Sequence, residues 1–287
     1  MRVAVTGGTG LVGRFFVERA LAQGHEVTVL SRTKPTAGFF SAQVHWQAFT
    51  LGDHPSLNVN EVIHCAFAHV PGRYRGGEGD DPTGFIRANL DGSLAIFNAA
   101  RKSGVKRVVF LSSRAVYGVP QDGGPITEES VPAPNTLYGT VKLAAEKALA
   151  EMSGPAFIGQ SLRATGVYGP AGPGQYHKWA ELLANYLAGK PVEPRQGTEV
   201  HGADLAHAAG VLFDHPSGAY NVSDILLDRN EMLRIVGQIT GCAHTLPEKT
   251  AAPFDQMDTG KLRHAGWTPG GWPLLRQTLQ NMLMGAD

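Results

Sequence analysis

Three residues in the middle of the chain have the types and spacing to act on one atom. Tyr138 and Lys142 stand four apart in Tyr138-Gly139-Thr140-Val141-Lys142, and Ser113 lies 25 positions before the tyrosine. On a helix, positions i and i+4 share a face, so a phenol and an ammonium would converge on one point. Taken alone, the pair reads equally well as an exposed helical couple. Near the amino end, Thr6-Gly7-Gly8-Thr9-Gly10-Leu11-Val12-Gly13 places glycines at 7, 10 and 13. A glycine-rich turn between a strand and a helix aims backbone N–H groups and the positive helix end at a pyrophosphate. Gly7 would allow the tight turn, Gly10 the approach of phosphate to backbone, and Gly13 close helix–strand packing. Thr9, Leu11 and Val12 would line the same cradle. An ordinary structural turn is the bland alternative, but the hydrophobic strand before it and the helix after it favour a dinucleotide.

The second strand of such a unit should end in a carboxylate that takes the ribose 2′-hydroxyl of NAD. Here Ser31-Arg32 stands instead, followed by Lys34. A guanidinium there would clamp a 2′-phosphate, with Arg14 as a second charge. NADP is therefore expected ahead of NAD; an Arg32 stacked on adenine would permit NAD.

The elements that must position these groups alternate in the first half of the chain. Short β-branched runs at 2–6, 26–30, 44–47, 61–66, 107–111 and 156–162 read as strands. Helical periods cover 11–23, 85–103 and 138–152. That alternation predicts an α/β fold: a Rossmann-type, doubly wound parallel sheet. It spans residues 1–168, with a smaller mixed α/β substrate lobe over 169–287 and the chain free to cross back. Helices are expected in that lobe at 205–213, 229–240 and 273–283. The Gly- and Pro-rich stretches 69–82 and 119–134 read as surface loops, the first at the mouth of a site.

Composition narrows the function. At about 150 residues per domain, 287 residues suggest two domains. Lys plus Arg equals Asp plus Glu at 25 each, so no basic field exists for nucleic acid or anionic lipid. Two cysteines exclude a disulfide framework and a cysteine-rich zinc site. Eleven histidines show no H-x-x-x-H or H-E-x-x-H spacing, so no metal is expected. With no apolar run near the ~20 residues of a membrane span and no signal-peptide pattern, a cytoplasmic protein is expected.

The ordered motifs resemble the extended short-chain dehydrogenase/reductases, the NAD-dependent epimerase/dehydratase family. The resemblance rests on the glycine turn, Val62-Ile63-His64-Cys65-Ala66, Asn89, the stretch from Phe110 to Gly118 and Tyr138 to Lys142. Arg163-Ala164-Thr165-Gly166-Val167-Tyr168-Gly169-Pro170 and Gly266-Trp267-Thr268-Pro269 complete it. It implies Tyr138 as acid/base while hydride passes to or from a nicotinamide. A free phenol titrates at about 10, so neutral pH would require roughly 4 kcal/mol of phenolate stabilisation. Lys142 would supply part of it and hold the nicotinamide ribose, and Ser113 would hold the reacting oxygen. Ala66, Phe67 and Ala68 would line the cofactor, Ala164 and Thr165 its nicotinamide end, and Asn89 would support the strand-end backbone. Asp53 would meet the adenine or form the turn at 52–55. Helices 85–103 and 138–152 imply a homodimer.

Departures shape the substrate expectation. Relatives that dehydrate nucleotide sugars follow the serine with Asp-Glu, whereas Arg114-Ala115 stands here, so dehydration is not expected. Gly166 replaces an asparagine that serves nucleotide phosphates, and the segment 196–206 lacks the family's arginine. A small substrate is then at least as well suited: a free sugar, sugar acid, lactone or other hydroxy or keto compound. Arg114 would meet a substrate carboxylate or phosphate, or else form a rim salt bridge. His69, Tyr168, Tyr176, His177 and Trp179 would stack on a sugar ring or pack the lobe. His201 would approach the cofactor cleft, and Asp204 is expected to cap the 205–213 helix. The leading reading is an NAD(P)-dependent oxidoreductase. The alternatives are a sugar or UDP-sugar 4-epimerase with retained NAD and a dinucleotide-sensing regulator.

Overall fold

The computed structural model describes residues 1–70, 77–119 and 124–285. Among them ten strands occur: β1 (Arg2–Thr6), β2 (Glu26–Ser31), β3 (His45–Ala48), β4 (Glu61–His64), β5 (Arg107–Ser113), β6 (Ile158–Ala164), β7 (Gly166–Tyr168), β8 (Gln196–His201), β9 (Gly218–Val222) and β10 (Ile225–Asp228). Helices are α1 (Gly13–Ala22), α2 (Pro82–Ile86), α3 (Gly92–Lys102), α4 (Leu137–Met152), α5 (Ala180–Leu187), α6 (Gly202–Val211), α7 (Arg229–Thr240), α8 (Gly260–His264) and α9 (Gly271–Met284).

Seven strands make one parallel sheet in the order β3-β2-β1-β4-β5-β6-β9, and β10-β8-β7 form a small second sheet. Alternation of side chains along each strand divides the core between the two faces. Val3, Val5 and Val29 pack beneath Phe16 and Val17 of α1 and Leu205 of α6. Ala4, Leu30 and Val108 face Ile96 and Phe97 of α3 and Leu149 of α4. All four residues of β4 are buried, as a sheet covered on both faces requires. The strand order reverses between β1 and β4, which opens a crevice at the carboxyl ends.

Several boundaries differ from expectation for local reasons. β5 continues two residues past 111, because its register with β6 extends to Ser113 opposite Ala164. β6 starts at Ile158 because Gly154 and Phe157 close a reciprocal turn just before it. The helix expected at 85–103 begins at Pro82, capped by Asp81 accepting from Gly84 N at 2.8 Å, and passes through a π turn at Arg87–Asp91. The expectation that Asp204 caps its helix is corrected: α6 starts at Gly202, capped by His201 Nδ1 accepting from Ala203 N at 3.1 Å. The Asp204 carboxylate instead accepts from Gly270 N at 2.9 Å.

The chain crosses back between layers. α6 packs on the main core and β9 joins the main sheet beside β6. The small sheet, α5, α7 and α9 bury a separate cluster that includes Tyr168, Trp179, Leu233 and Leu275.

Candidate active site

Ser113 ends β5 in extended conformation, and its Oγ accepts from Ala115 N at 3.2 Å to start a short 3-10 turn. The first turn of α4, capped by Thr136 accepting from Gly139 N at 3.1 Å, lies directly on that turn. A Cβ on Gly139 would stand 2.4 Å from Ala115 O, so only glycine permits this approach beside Tyr138. One turn further, Lys142 Nζ donates to Leu111 O at 2.6 Å. The same ammonium lies 4.2 Å from the Phe67 ring centre and 5.8 Å from that of Tyr138. Phe67 meets Tyr138 edge-on at 5.1 Å. Serine, tyrosine and lysine thus gather at the carboxyl ends of β4 and β5.

Charge at this point is tuned by burial. Desolvation lowers Lys142 to about 7, opposed by the nearby Cys65 and Glu146. Burial pushes the Cys65 thiol up to about 12, so it stays protonated. His64 is lowered to about 3 by burial and by the Lys142 charge, and is neutral. Its hydrogen bonds fix the tautomer. Ser93 Oγ donates to Asn89 O at 2.6 Å, so it accepts from His64 Nε2–H at 3.0 Å. Nδ1 then accepts from Thr6 Oγ1 at 2.7 Å, and Thr6 accepts from Ala66 N at 3.2 Å. Asn89 completes the chain by pairing both its amide groups with the Ala68 backbone, at 2.7 and 2.8 Å.

A second buried network lies behind the lysine and was not read from the sequence. Glu146, one helical turn beyond Lys142, pairs with Arg163 of β6 at 2.8 Å and accepts from Ser112 Oγ. Arg163 also donates to the Tyr117 hydroxyl, which donates to Asn221 Oδ1 at 2.7 Å. The signal for it was a charged residue inside an apolar strand, which must find a partner when buried.

The glycine cradle has the shape a dinucleotide requires. Gly7 has φ +66°, and a Cβ on it would stand 2.8 Å from Ala66 N. A Cβ on Gly13 would sit 2.2 Å from Gly7 O, whereas Gly10 is exposed. Gly10 N closes the turn by donating to Gly7 O at 2.9 Å, so the backbone amides of Thr9 and of Leu11, Val12 and Gly13 are those that would hold a pyrophosphate. Arg32, just past β2, is exposed and forms no ion pair among the described residues. Arg14 points elsewhere, donating to Pro170 O at 3.0 Å with Glu18 at 3.9 Å. Asp53 accepts from Thr50 N at 2.7 Å and its own N–H donates to Thr50 O, which closes a turn at 50–53, two residues before the expected 52–55. Ala164 and Thr165 are buried where β6 passes toward β7, opposite Ser113.

The expected substrate contacts separate. His69 is exposed, its ring 6.4 Å from Phe67. Arg114 donates to Asp255 O at 2.8 Å and lies over Phe254, so it ties the 254–255 segment to the end of β5. Tyr168 is 1% exposed and stacked on Trp179, in the core of the small lobe. His177 is half-buried and accepts from Trp179 N at 3.3 Å, while Tyr176 is exposed. Part of the loop expected at the site mouth (71–76) and part of the second loop (120–123) lie outside the described residues.

A crevice at the sheet's switch point, with a glycine cradle on one side and Tyr138 and Lys142 on the other, is the arrangement of an extended short-chain dehydrogenase/reductase. The model of the NAD dependent epimerase/dehydratase family matches residues 3–223, and the chain belongs to that family. Over 156 residues it is 31% identical to a UDP-glucose 4-epimerase of Lacticaseibacillus casei, covering 51% of this chain and 45% of that protein. A human sterol-4-alpha-carboxylate 3-dehydrogenase, decarboxylating, is 29% identical over 184 residues, 60% of this chain and 46% of that one. The chain thus spans about half the length of these curated relatives. Among solved structures, the UDP-glucose 4-epimerase of Thermus thermophilus in complex with NAD superposes with a TM-score of 0.80. That pair is 28% identical and covers 100% of both chains.

Proposed function

We propose that this chain is an NAD(P)-dependent oxidoreductase acting on a hydroxyl or ketone of a small carbohydrate-like substrate. The supporting observation is Lys142, buried beside Tyr138 with Nζ tied to Leu111 O at 2.6 Å. A charge held in so dry a place stabilises a phenolate far better than one in water would. Tyr138 takes the proton from the substrate hydroxyl, or returns it to a carbonyl oxygen, and Ser113 Oγ–H donates a hydrogen bond to that oxygen. When bound, the nicotinamide supplies hydride acceptance and donation. The amides of Thr9 and of Leu11, Val12 and Gly13 would hold its pyrophosphate, and Ala66, Phe67, Ala68, Ala164 and Thr165 would flank the rest. Arg32, which forms no ion pair among the described residues at the end of β2, favours the 2′-phosphate of NADP. Arg114-Ala115 after the serine leaves no acid for an elimination.

A second reading is an epimerase that keeps its cofactor. It is supported by the relatives above and by a crossing over the cradle. Gln175 Nε2 donates to Thr9 O at 2.8 Å, and Arg14 reaches Pro170 O. Denaturing the purified protein and identifying released nucleotide by mass spectrometry separates the two. Stoichiometric NAD(H) favours the epimerase. An empty protein that binds NADPH better than NADH supports the oxidoreductase.

A further inference from the structure

We propose that the Lys178–Glu199 ion pair is a substrate-recognition element that accepts adjacent hydroxyls of an uncharged sugar-like ring and opposes a diphosphate. This rests on the reading of the site as a carbohydrate oxidoreductase and adds the substrate class. Lys178 Nζ lies 2.5 Å from Glu199 Oε2, with side chains 21% and 14% exposed, so the pair is sheltered yet reachable. It stands against the start of β7. A Cβ on Gly166 would meet the two Glu199 oxygens at 2.5 and 2.7 Å and Lys178 Nζ at 2.7 Å. Gly166 pairs with Glu199 in register and follows Ala164, the partner of Ser113, by two residues. In extended chain that is about 7 Å from Ala164, with Ser113 a further strand spacing of about 4.8 Å away on β5. The pair thus fills the space that a side chain at 166 would occupy.

Its chemistry is a donor beside an acceptor with no net charge. The ammonium has two N–H groups beyond the one given to Glu199. Among the described residues Glu199 Oε1 accepts no hydrogen bond. Trp179 lies 5.6 Å from the ammonium and is itself stacked on Tyr168, which fixes the segment presenting Lys178. Vicinal hydroxyls satisfy both partners at once. A diphosphate that approached the remaining N–H groups of Lys178 would meet the Glu199 carboxylate beside them and be repelled by its charge.

Calorimetric titration of the NADP-loaded protein with UDP-glucose tests this without relying on turnover. The wild type is expected to bind weakly, and Glu199→Gln, which leaves Lys178 unpaired, to bind at least about 10-fold more tightly. Lys178→Gln should bind no better than the wild type, and thermal melts establish that both variants fold. Equal affinity of the wild type and Glu199→Gln overturns the proposal, as does tight wild-type binding. Loss of the oxidoreductase reading would show elsewhere, as unchanged turnover in Tyr138→Phe.

Discussion

Lys142 Nζ donates to the backbone carbonyl of Leu111 at 2.6 Å, two residues before Ser113 on the same strand. The bond pins the end of the Lys142 side chain to the backbone of β5 and so ties the second turn of α4 to the strand that ends in Ser113. The ammonium is buried as a consequence, and its titration becomes a reporter of folding.

In the folded protein Lys142 releases its proton at about 7, against an ordinary 10.5. Between those values the unfolded chain binds more protons, so this group adds stability as pH rises through that window. Below about 7 both states are protonated and that contribution is gone. Lys142→Met should lack the rise. In urea unfolding of the cofactor-free protein at pH 6, 7.5 and 9, the wild type should gain on the variant with pH; a constant difference contradicts the buried charge.

Gly13→Ala drives a methyl group to 2.2 Å from Gly7 O, a backbone atom that cannot move aside cheaply. Overpacking of this kind costs about 1–3 kcal/mol, and dinucleotide binding should be lost with it. Gly154→Ala meets nothing within 4 Å and should stay within about 0.5 kcal/mol of the wild type. NADPH fluorescence titration and thermal unfolding check both variants.

Arg32→Ala should weaken NADP about 10- to 100-fold, the worth of a charge-assisted hydrogen bond of about 1.5–3 kcal/mol. NAD affinity should hardly change. An equal loss for the two dinucleotides would remove Arg32 as the selector.

Glu146→Gln leaves the Arg163 guanidinium buried without its carboxylate, and a broken pair of this kind costs about 3–5 kcal/mol. Replacing both partners with methionine should recover part of the loss, because no charge is then stranded. Chemical unfolding of the single and double variants measures the difference, and a double variant no more stable than the single contradicts the pairing.

What could be read in the sequence was local. Gly7, Gly10 and Gly13 lie within one turn, and Tyr138 and Lys142 within one helical turn, so spacing alone carried their geometry. The parallel sheet followed from β-branched runs alternating with helical periods. What escaped depended on tertiary approach. Glu146 meets Arg163 across two elements, Lys178 meets Glu199 between a loop and the small sheet, and Gln175 reaches Thr9 from the far half of the chain. His201 replaced Asp204 as a helix cap because a nearby backbone amide at Gly270 claimed the carboxylate. Tyr168, for which ring stacking and lobe packing stood open, is packed in the core between Trp179 and His201.

The assignment of Tyr138 as the proton-transferring group meets its most direct test in one comparison. The wild type and Tyr138→Phe are assayed with NADP and with NAD at 340 nm against a panel of free sugars, sugar acids and UDP-glucose. NADPH affinity is measured in parallel. The expected result is turnover of at least one free sugar or sugar acid by the wild type and a loss of about 10²- to 10⁴-fold in the variant, the usual worth of a general acid/base, with NADPH affinity unchanged. A Tyr138→Phe variant that turns over the same substrate at the wild-type rate would contradict it.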